Sequence, residues 1–513
     1  MTFNESITIG ELHRLRIKTL DENDIFIIGK KGIARVFLQS LLKLPPETGF
    51  TEVETAYKES SLEDDIPKNS EEFWAFIEKE YLYLEKEPKS MFTELSFQVA
   101  DDLEKIAKNL EYISSERKIL EEKKMEHGRL SADERYYRNQ LDYFENKNIV
   151  ARNEIVDFMA TDIKSYAIKK SAQKFPFSFS LGFIFKECPY RFGRTFLLHS
   201  YDSYDARSLD EYSNKFTDLP VSGHRELIEE CRKSPENFKK IAHYYIAGIP
   251  GSLPSVSEKL EKLVGESHIL TRRKQVISTM LRHFEAKYYI SFVSIAPLQI
   301  EGIFADICRE IGVSENQLDI SSLNDKLHHI DGKINSFFYF EYYSFKFPVL
   351  RNLVAHGGLV DGELEDTAVH LMLDLLPVCE LTVSEELPIN YALTVLDEAS
   401  QSNYEKLIEW LDLRTNVLIP DFYNIKEKIL ATETLYDSTG FWEYLEEKLK
   451  KLDSVDQIKK SMPLKIAGIV KKNDLAVEKA EKFLKSAYNT ASEAIKKRNE
   501  TLEKFKKALN LPK

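Results

Sequence analysis

Cysteine is scarce in this chain, with only four among 513 residues. Cys188, Cys231, Cys308 and Cys379 lie far apart in sequence and form no Cys-x-x-Cys pair. That distribution argues against a zinc site and against a disulfide scaffold, and it fits a reducing compartment. We therefore expect free thiols, no bound metal and a cytoplasmic location.

Glycine and proline are also few, 19 and 17 respectively, so the chain has few helix breakers. Apolar residues make up 43% and charged residues 30%, the composition of a soluble globular protein. No run of 18 apolar residues is present, and residues 1–18 lack the apolar stretch of a signal peptide. We expect no membrane-spanning segment and, from the length, roughly two to four domains.

The phosphate loop of nucleotide triphosphatases is missing as well. Residues 24–29 predict a strand that ends in a turn at Gly29. The following Lys30, Lys31 and Gly32 do not complete a loop, because the Gly-Lys-Ser/Thr ending is absent. A nucleotide triphosphatase is excluded on that ground.

Hydrophobic periodicity predicts a mainly α protein with several domains. Leu103, Ile106, Leu110 and Ile113 recur at three- and four-residue steps, the pattern of a coiled-coil seam or a packed helix. Breakers cluster at residues 247–254 and predict a linker between helical runs. The predicted segments are a helical, coiled-coil-like N-terminal region (1–170), a mixed region with short strands (171–250), a helical bundle (255–395) and a helical C-terminal region with a basic tail (396–513).

The predicted mixed region is the part of the chain in which we expect β-strands. Residues 175–185 alternate Phe with Pro, Ser and Gly, and aromatic residues continue to Tyr212 without a helical period. This pattern predicts a small β-containing insert. Its rings would pack in a core or stack on unpaired bases.

One short segment has the residues for cleaving RNA without a metal. Arg351 carries a permanent charge on a planar donor fork that suits phosphate, and His356 exchanges protons near neutral pH. Asn352 shares a helix face with His356, four residues on. Pro348 suits the first turn of a helix and Gly357 its end, so the segment predicts a short helix with the histidine in its last turn.

Two other interpretations of the segment remain open. Arg194 and His199 have the same spacing, although they lie in the aromatic stretch that shows no helical period. The bundle helix also has a purely structural interpretation, in which Arg351 and His356 satisfy nearby carbonyl groups.

These residues resemble the signature of HEPN domains (higher eukaryotes and prokaryotes nucleotide-binding), helical bundles in which Arg, a polar residue and His follow in this order. Residues 289–311 are similar to the long first core helix of such a bundle, and Glu301 resembles the acidic residue that some members place near the site. The resemblance covers roughly residues 265–385 and places a HEPN-like bundle in the predicted segment 255–395.

The resemblance implies a metal-independent endoribonuclease without a cofactor. Arg351 and His356 would be catalytic, Asn352 would orient them, and Glu301 would support them. The substrate would be tRNA or mRNA, two bundles would pair in a homodimer, and an antitoxin or activator would control a toxin or anti-phage enzyme. The alternative is a non-catalytic helical scaffold, or an RNA-binding or coiled-coil interaction subunit of a defence complex.

Charge is spread unevenly over the chain, whose net charge is −13. Residues 451–513 carry 16 Lys and Arg against 8 Asp and Glu, so this tail is +8 and the first 450 residues are −21. A basic tail on an acidic body predicts either an RNA-docking arm or a solvated helix face. Arg272, Arg273 and Lys274 open the bundle, where they either contact phosphates or point into solvent.

Overall fold

The computed structural model describes residues 7–61, 65–171, 190–192, 203–355 and 364–508. Within those ranges the protein is mainly α-helical, as predicted, and β pairing is confined to isolated bridges, such as the one between Ile249 and Leu253. The chain separates into two compact units, Met1–Leu209 and Asp210–Lys513. This division is coarser than the four predicted segments, whose boundaries stay predictions.

The first unit is built from helices throughout its described part. They are α1 (Ile9–Glu22), α2 (Ile25–Leu42), α3 (Phe50–Ser60), α4 (Ser70–Glu80), α5 (Pro88–His127), α6 (Ala132–Asp157), a π-helical turn (Phe158–Asp162), α7 (Ile163–Ser171) and a 3-10 turn (Ala206–Ser208). Phe37, Tyr57 and Trp74 are fully buried where α2, α3 and α4 pack together.

The prediction of a strand at residues 24–29 is wrong, because these residues form the beginning of helix α2. The Asp24 side chain caps the helix by accepting a hydrogen bond from the Phe26 amide at 2.9 Å. Ile25, Ile33 and Phe37 then recur at a helical spacing and are buried. Gly29, with φ +71°, kinks the helix at the position where a turn was expected.

Helices α5 and α6 form an antiparallel hairpin with a heptad seam. Val99, Ile106, Ile113 and Leu120 follow one another at intervals of seven residues along α5, and all four are buried. Gly128, with φ +73°, ends α5, and Ser131 begins α6 with a capping box.

Polar residues in the hairpin bind an extended piece of the chain. The side-chain amides of Asn109 and Asn148 donate to the Tyr204 carbonyl at 3.2 and 2.7 Å, and Gln140 donates to the Ala206 carbonyl at 2.9 Å. These three polar side chains are buried in the seam, where each needs a hydrogen-bond partner. The backbone of residues 204–206 supplies it.

The described part of the predicted mixed region contains no strand, which corrects the expectation for residues 203–250. Two helices, α8 (Val221–Lys233) and α9 (Pro235–Ala247), occupy most of it. Its aromatic rings pack in helical surroundings, as Tyr212 does against Phe238, with 4.9 Å between ring centroids. Residues 175–185, on which the strand prediction rested most, lie outside the described residues.

The second unit continues with a helical bundle and a C-terminal group of helices. The bundle contains α10 (Val256–Glu266), α11 (His268–Thr271), α12 (Lys274–Glu285), α13 (Tyr289–Glu310), α14 (Glu315–Ile320), α15 (Leu323–Asp331), α16 (Phe340–Phe345), α17 (Phe347–Ala355) and α18 (Leu364–Leu381). The C-terminal group contains α19 (Pro388–Ser400), α20 (Tyr404–Asn416), α21 (Lys426–Glu433), α22 (Thr439–Lys450), α23 (Met462–Lys472) and α24 (Val477–Ala508), with 3-10 turns at Asp421–Tyr423, Thr434–Asp437 and Val455–Lys460.

Helices α13 and α18 form the centre of the bundle. Ala296, Ile300, Ile303 and Phe304 of α13 are fully buried, and most residues of α18 are buried as well. Among the described helices, α13 alone is long and apolar enough to cross a membrane. Nine of its residues are buried in the bundle, whereas Ile290 and Leu298 are exposed.

A buried ion pair fixes the start of the second unit to the bundle. Lys215 and Asp374 are both fully buried and in direct contact. Lys215 also donates to Asn214 at 2.8 Å and to Tyr342 at 3.0 Å, while Tyr343 donates to the Asp374 carbonyl at 2.6 Å. The aromatic run before α17 thus supplies the phenol of Tyr342 to the buried charge pair and the phenol of Tyr343 to the main chain of Asp374.

The histidine on α18 packs among aromatic rings. His370 stacks on Phe238 with 4.4 Å between ring centroids. Burial, together with the charge of Lys215, lowers the pKa of His370 to about 3. The imidazole is therefore neutral at physiological pH and unsuited to proton transfer there.

A second titratable group on α18 sits beside a small polar cavity. Glu380, Asp218 and Tyr245 line this cavity of about 10 Å³, which is the space of a single water molecule. Burial and the charge of Asp218 raise the pKa of Glu380 to about 7, although Lys259 opposes the shift. Lys259 instead pairs with Asp218 at 2.6 Å.

Replacing Lys215 with Met should destabilise the protein strongly. The substitution leaves Asp374 charged and buried without its partner, which costs about 3–5 kcal/mol. The free energy of unfolding in urea measures the loss, and the double variant Lys215→Met/Asp374→Leu should recover part of it. As a control, Lys426→Met removes an ion pair of which both members are highly exposed, and should change stability little. Equal losses for the two lysines would contradict this account.

Replacing Glu380 with Gln should stabilise the protein at high pH. Because the folded state raises the pKa of Glu380 from 4.5 to about 7, the folded protein keeps its proton longer than the unfolded chain. Stability is therefore lost as pH rises through this window. Glu380→Gln should unfold like the wild type at pH 4.5 and be more stable by about 2 kcal/mol at pH 8. Glu385→Gln, at an exposed site, is the control and should show no such difference.

Candidate active site

The motif lies on α17, a short helix that begins at Phe347 and whose described part ends at Ala355. Phe347 and Pro348 are buried, so the first turn is anchored in the bundle, while Arg351 and Asn352 are only partly buried. The aromatic residues of α16 lead directly into this helix, and Tyr343 packs on Phe347 with 5.7 Å between ring centroids. The helix therefore presents its second half at the bundle surface.

An ion pair joins Arg351 to Glu301 of α13. The Nε atom of Arg351 lies 2.7 Å from Oε1 of Glu301, and Nη2 donates to Oε2 at 3.3 Å. The Nε hydrogen is not directed at the carboxylate, so the shorter contact is mainly electrostatic. Nη1 donates to Oδ1 of Asn352 at 3.1 Å. Because a guanidinium has five N–H donors, it retains donors for a further anion.

The position of Glu301 follows from the packing of α13. Its neighbours Ile300 and Ile303 face the core and are fully buried, which leaves Glu301 at the edge of the bundle. The side chain of Glu301 is 24% exposed and that of Arg351 is 35% exposed. The pair is thus accessible to solvent and to a ligand.

The basic group at the start of the bundle does not act as a unit. Arg273 donates to Asp306 of α13 at 2.6 and 3.0 Å and to Gln299 at 2.9 Å. Its guanidinium lies against Gly302, where a Cβ atom would be only 2.7 Å from Nη1. Arg273 therefore serves to pack the segment onto α13, whereas Arg272 and Lys274 are exposed.

The structure brings Arg351, Asn352 and Glu301 together, although fifty residues separate Glu301 from the arginine. His356 follows directly on Ala355 but lies outside the described residues. The competing pair, Arg194 and His199, lies outside them as well.

A second buried polar contact, formed by His268, was not predicted from the sequence. The Nε2 atom of His268 lies 3.2 Å from the Glu310 carboxylate, and its Nδ1 atom lies 3.1 Å from the Tyr423 hydroxyl group. It joins the bundle to the 3-10 turn at Asp421–Tyr423. Like the Lys215 network, it links residues more than 100 positions apart, and no local pattern marks such partners.

An apolar strip borders the candidate site. Ile290 and Leu298 of α13 are 65% and 60% exposed, and they lie on the helix face that also carries Glu301. Leu353, two residues after Arg351, is 37% exposed. We call these three side chains the site strip. Ile290 and Leu298 are about two helical turns apart on one face of α13, and exposed apolar side chains that share a helix face suit an interaction surface.

Among the residues that the structure describes, no three His, Cys, Asp or Glu side chains converge as metal ligands would. No family model matches the sequence, and neither a curated protein nor a solved structure is significantly similar to it. The relation to HEPN domains therefore stays a resemblance in the motif and its helical setting.

Proposed function

We propose that this protein is a metal-independent endoribonuclease of the HEPN type. The observation that supports this most is the placement of Arg351 at the bundle surface, oriented by Glu301 and Asn352 and with N–H donors to spare. This arrangement suits a group that binds a phosphate on the helix leading to His356.

In the proposed reaction, the 2′-oxygen of a ribose attacks the adjacent phosphorus, and the 5′-oxygen of the next nucleotide leaves. The products are a 2′,3′-cyclic phosphate and a 5′-hydroxyl end. Arg351 stabilises the negative charge that builds up on the phosphate oxygens. His356 protonates the leaving oxygen, and water or a second site accepts the proton of the 2′-hydroxyl.

Glu301 has a supporting role in this proposal. Its carboxylate holds the guanidinium in one orientation, which lowers the entropy lost when a phosphate binds. Because the pair is partly exposed, it is worth only about 1 kcal/mol or less and can rearrange when RNA arrives.

We further propose a homodimer in which the site strip is covered by a second copy of the chain. The strip adjoins Arg351, so pairing would bring two sites to one cleft, as the resemblance implies. Substrates would be tRNA or mRNA, a partner protein acting as antitoxin or activator would control the enzyme, and its biological role would be that of a toxin or anti-phage enzyme. The described cysteines, Cys231, Cys308 and Cys379, are free and buried, which is compatible with a cytoplasmic location.

A non-catalytic scaffold is the second candidate. The contact that favours it is the same ion pair, since an arginine that is already held by Glu301 and Asn352 also has a structural explanation. The long α5–α6 hairpin, with its exposed Met125 near the turn, would suit an interaction subunit. The cleavage experiment below separates the two candidates.

The purified protein should cleave labelled tRNA or total RNA in the presence of EDTA. Arg351→Ala and His356→Ala should each lower the rate by about 10²- to 10⁴-fold, because each removes a group that acts on the transition state. Asn352→Ala should lower it less. Gel analysis of the products should show cyclic phosphate ends.

His199→Ala is the matched control and should retain full activity. Loss of cleavage in His199→Ala, but not in His356→Ala, would place the site in the other Arg–His pair. Intact RNA with the wild-type protein, in the presence and absence of cell extract as a source of activator, would favour the scaffold.

Leu298→Asp should convert the dimer to a monomer and reduce cleavage. A carboxylate in the site strip would be buried without a partner when two copies meet. Sedimentation velocity and the cleavage rate report the two effects. Leu418→Asp, at a residue that is 92% exposed in the C-terminal group, should leave both unchanged. A wild-type protein that is monomeric and fully active would contradict the dimer.

A further inference from the structure

The last helix of the chain ends in a stretch that the described residues leave uncovered. The residues of α24 that pack into the C-terminal core are Ala480, Phe483, Ala487, Ala491 and Ile495. No residue from Lys496 to Lys507 is buried. Leu502 and Phe505, which are 51% and 62% exposed, continue the core-facing side of the helix beyond Ile495. We call residues 496–508 the α24 end.

The α24 end is basic on an acidic protein. It carries six Lys and Arg against two Glu, a net charge of +4, so the remainder of the chain carries −17. A polyanion would be repelled by most of this protein and attracted to the α24 end. The basic character of the C-terminal region is therefore concentrated where the helix leaves its core.

Several basic residues earlier in the C-terminal group form ion pairs with carboxylates. Three ion pairs illustrate this: Lys448 with Glu405 at 3.1 Å, Lys450 with Glu446 at 2.7 Å and Lys471 with Glu481 at 2.9 Å. In the α24 end, Lys506 faces Glu503 at 3.3 Å and Arg498 donates to the Leu452 carbonyl. These basic side chains therefore have partners within the protein.

Three other lysines of the α24 end are not paired in this way. Lys497, Lys504 and Lys507 have no carboxylate at ion-pair distance among the described residues. Lys497 and Lys504 are seven residues apart and lie on one face, with Lys507 a turn further on. They form a row of unpaired charges along a rigid helix, which is suited to a chain of phosphates.

We propose that the α24 end docks the phosphate backbone of single-stranded RNA, at a place separate from the candidate active site. The choice of RNA rests on the proposed ribonuclease function. Lys497, Lys504 and Lys507 contact phosphates, and the exposed ring of Phe505 stacks on an unpaired base. The docked strand then reaches Arg351 at a higher local concentration.

Two other occupants fit the surface less well. A second copy of the α24 end would bring +4 against +4, so self-association is opposed by charge. A membrane would gain only two apolar side chains, Leu502 and Phe505, which is little compared with an interfacial helix. Both remain as outcomes of the experiment.

The test measures binding of the full-length protein to a 2′-O-methyl RNA oligomer, which has no 2′-hydroxyl and cannot be cleaved. Fluorescence anisotropy over a series of salt concentrations gives the slope of log K against log salt. Replacing Lys497, Lys504 and Lys507 with Gln should reduce that slope by about 2 and weaken binding at low salt about tenfold or more, because each single-strand phosphate contact contributes about 0.7. Phe505→Leu should weaken binding about tenfold.

The matched control replaces Lys448, Lys450 and Lys471 with Gln, which removes the same charge from lysines with local partners, and it should leave the slope unchanged. Equal effects of the two triple variants, or no RNA binding by the wild type, would overturn the proposal. So would binding to anionic lipid vesicles without binding to RNA. If the wild type binds in the predicted way but cleaves no ordinary RNA, the docking proposal stands and the ribonuclease proposal fails.

Discussion

Arg351 and Glu301 meet across two helices, and the candidate site depends on this contact. A free arginine side chain samples many rotamers, so a guanidinium at a helix surface is poorly placed for catalysis unless a partner holds it. Glu301 supplies that partner because the packing of Ile300 and Ile303 fixes the rotation of α13. Asn352 adds a third contact on the helix of the arginine itself. The geometry of the arginine is thus set by the apolar core beneath it.

The core in turn depends on buried polar groups, whose partners the pattern of apolar residues in the sequence does not predict. Lys215 and Asp374 are buried away from solvent, where the ammonium group donates to Asn214 and Tyr342, and Tyr343 donates to the main-chain carbonyl of Asp374. Since the two tyrosines belong to α16 and α17 follows it directly, the network also fixes the start of the helix that carries Arg351. A buried charge far from the site in sequence therefore contributes to its geometry.

The sequence predicted what depends on local spacing. The helical class and helix α17 follow from periodicity and from Gly and Pro placement, whereas α13 was expected from the resemblance. The strand at 24–29 was predicted wrongly, because a run of Ile suits both strand and helix and the Asp24 cap decides between them. The partners of Lys215, Arg273 and His268 could not be predicted, since each lies more than twenty residues away and pairing at that range depends on the tertiary fold.

Arg273 and Arg351 contact α13 at the neighbouring residues Gly302 and Glu301. The two arginines carry the same charge, but their surroundings give them different roles. Arg273 lies over Gly302, is 21% exposed, and directs three donor contacts to Asp306 and Gln299. Arg351, at Glu301, is 35% exposed and shares one carboxylate and one amide. An incoming phosphate would have to displace Asp306 or Gln299 to reach the first guanidinium, of which three donors are in use, whereas the second makes two hydrogen bonds and retains more donors. Arg351 is therefore the one that suits an incoming phosphodiester.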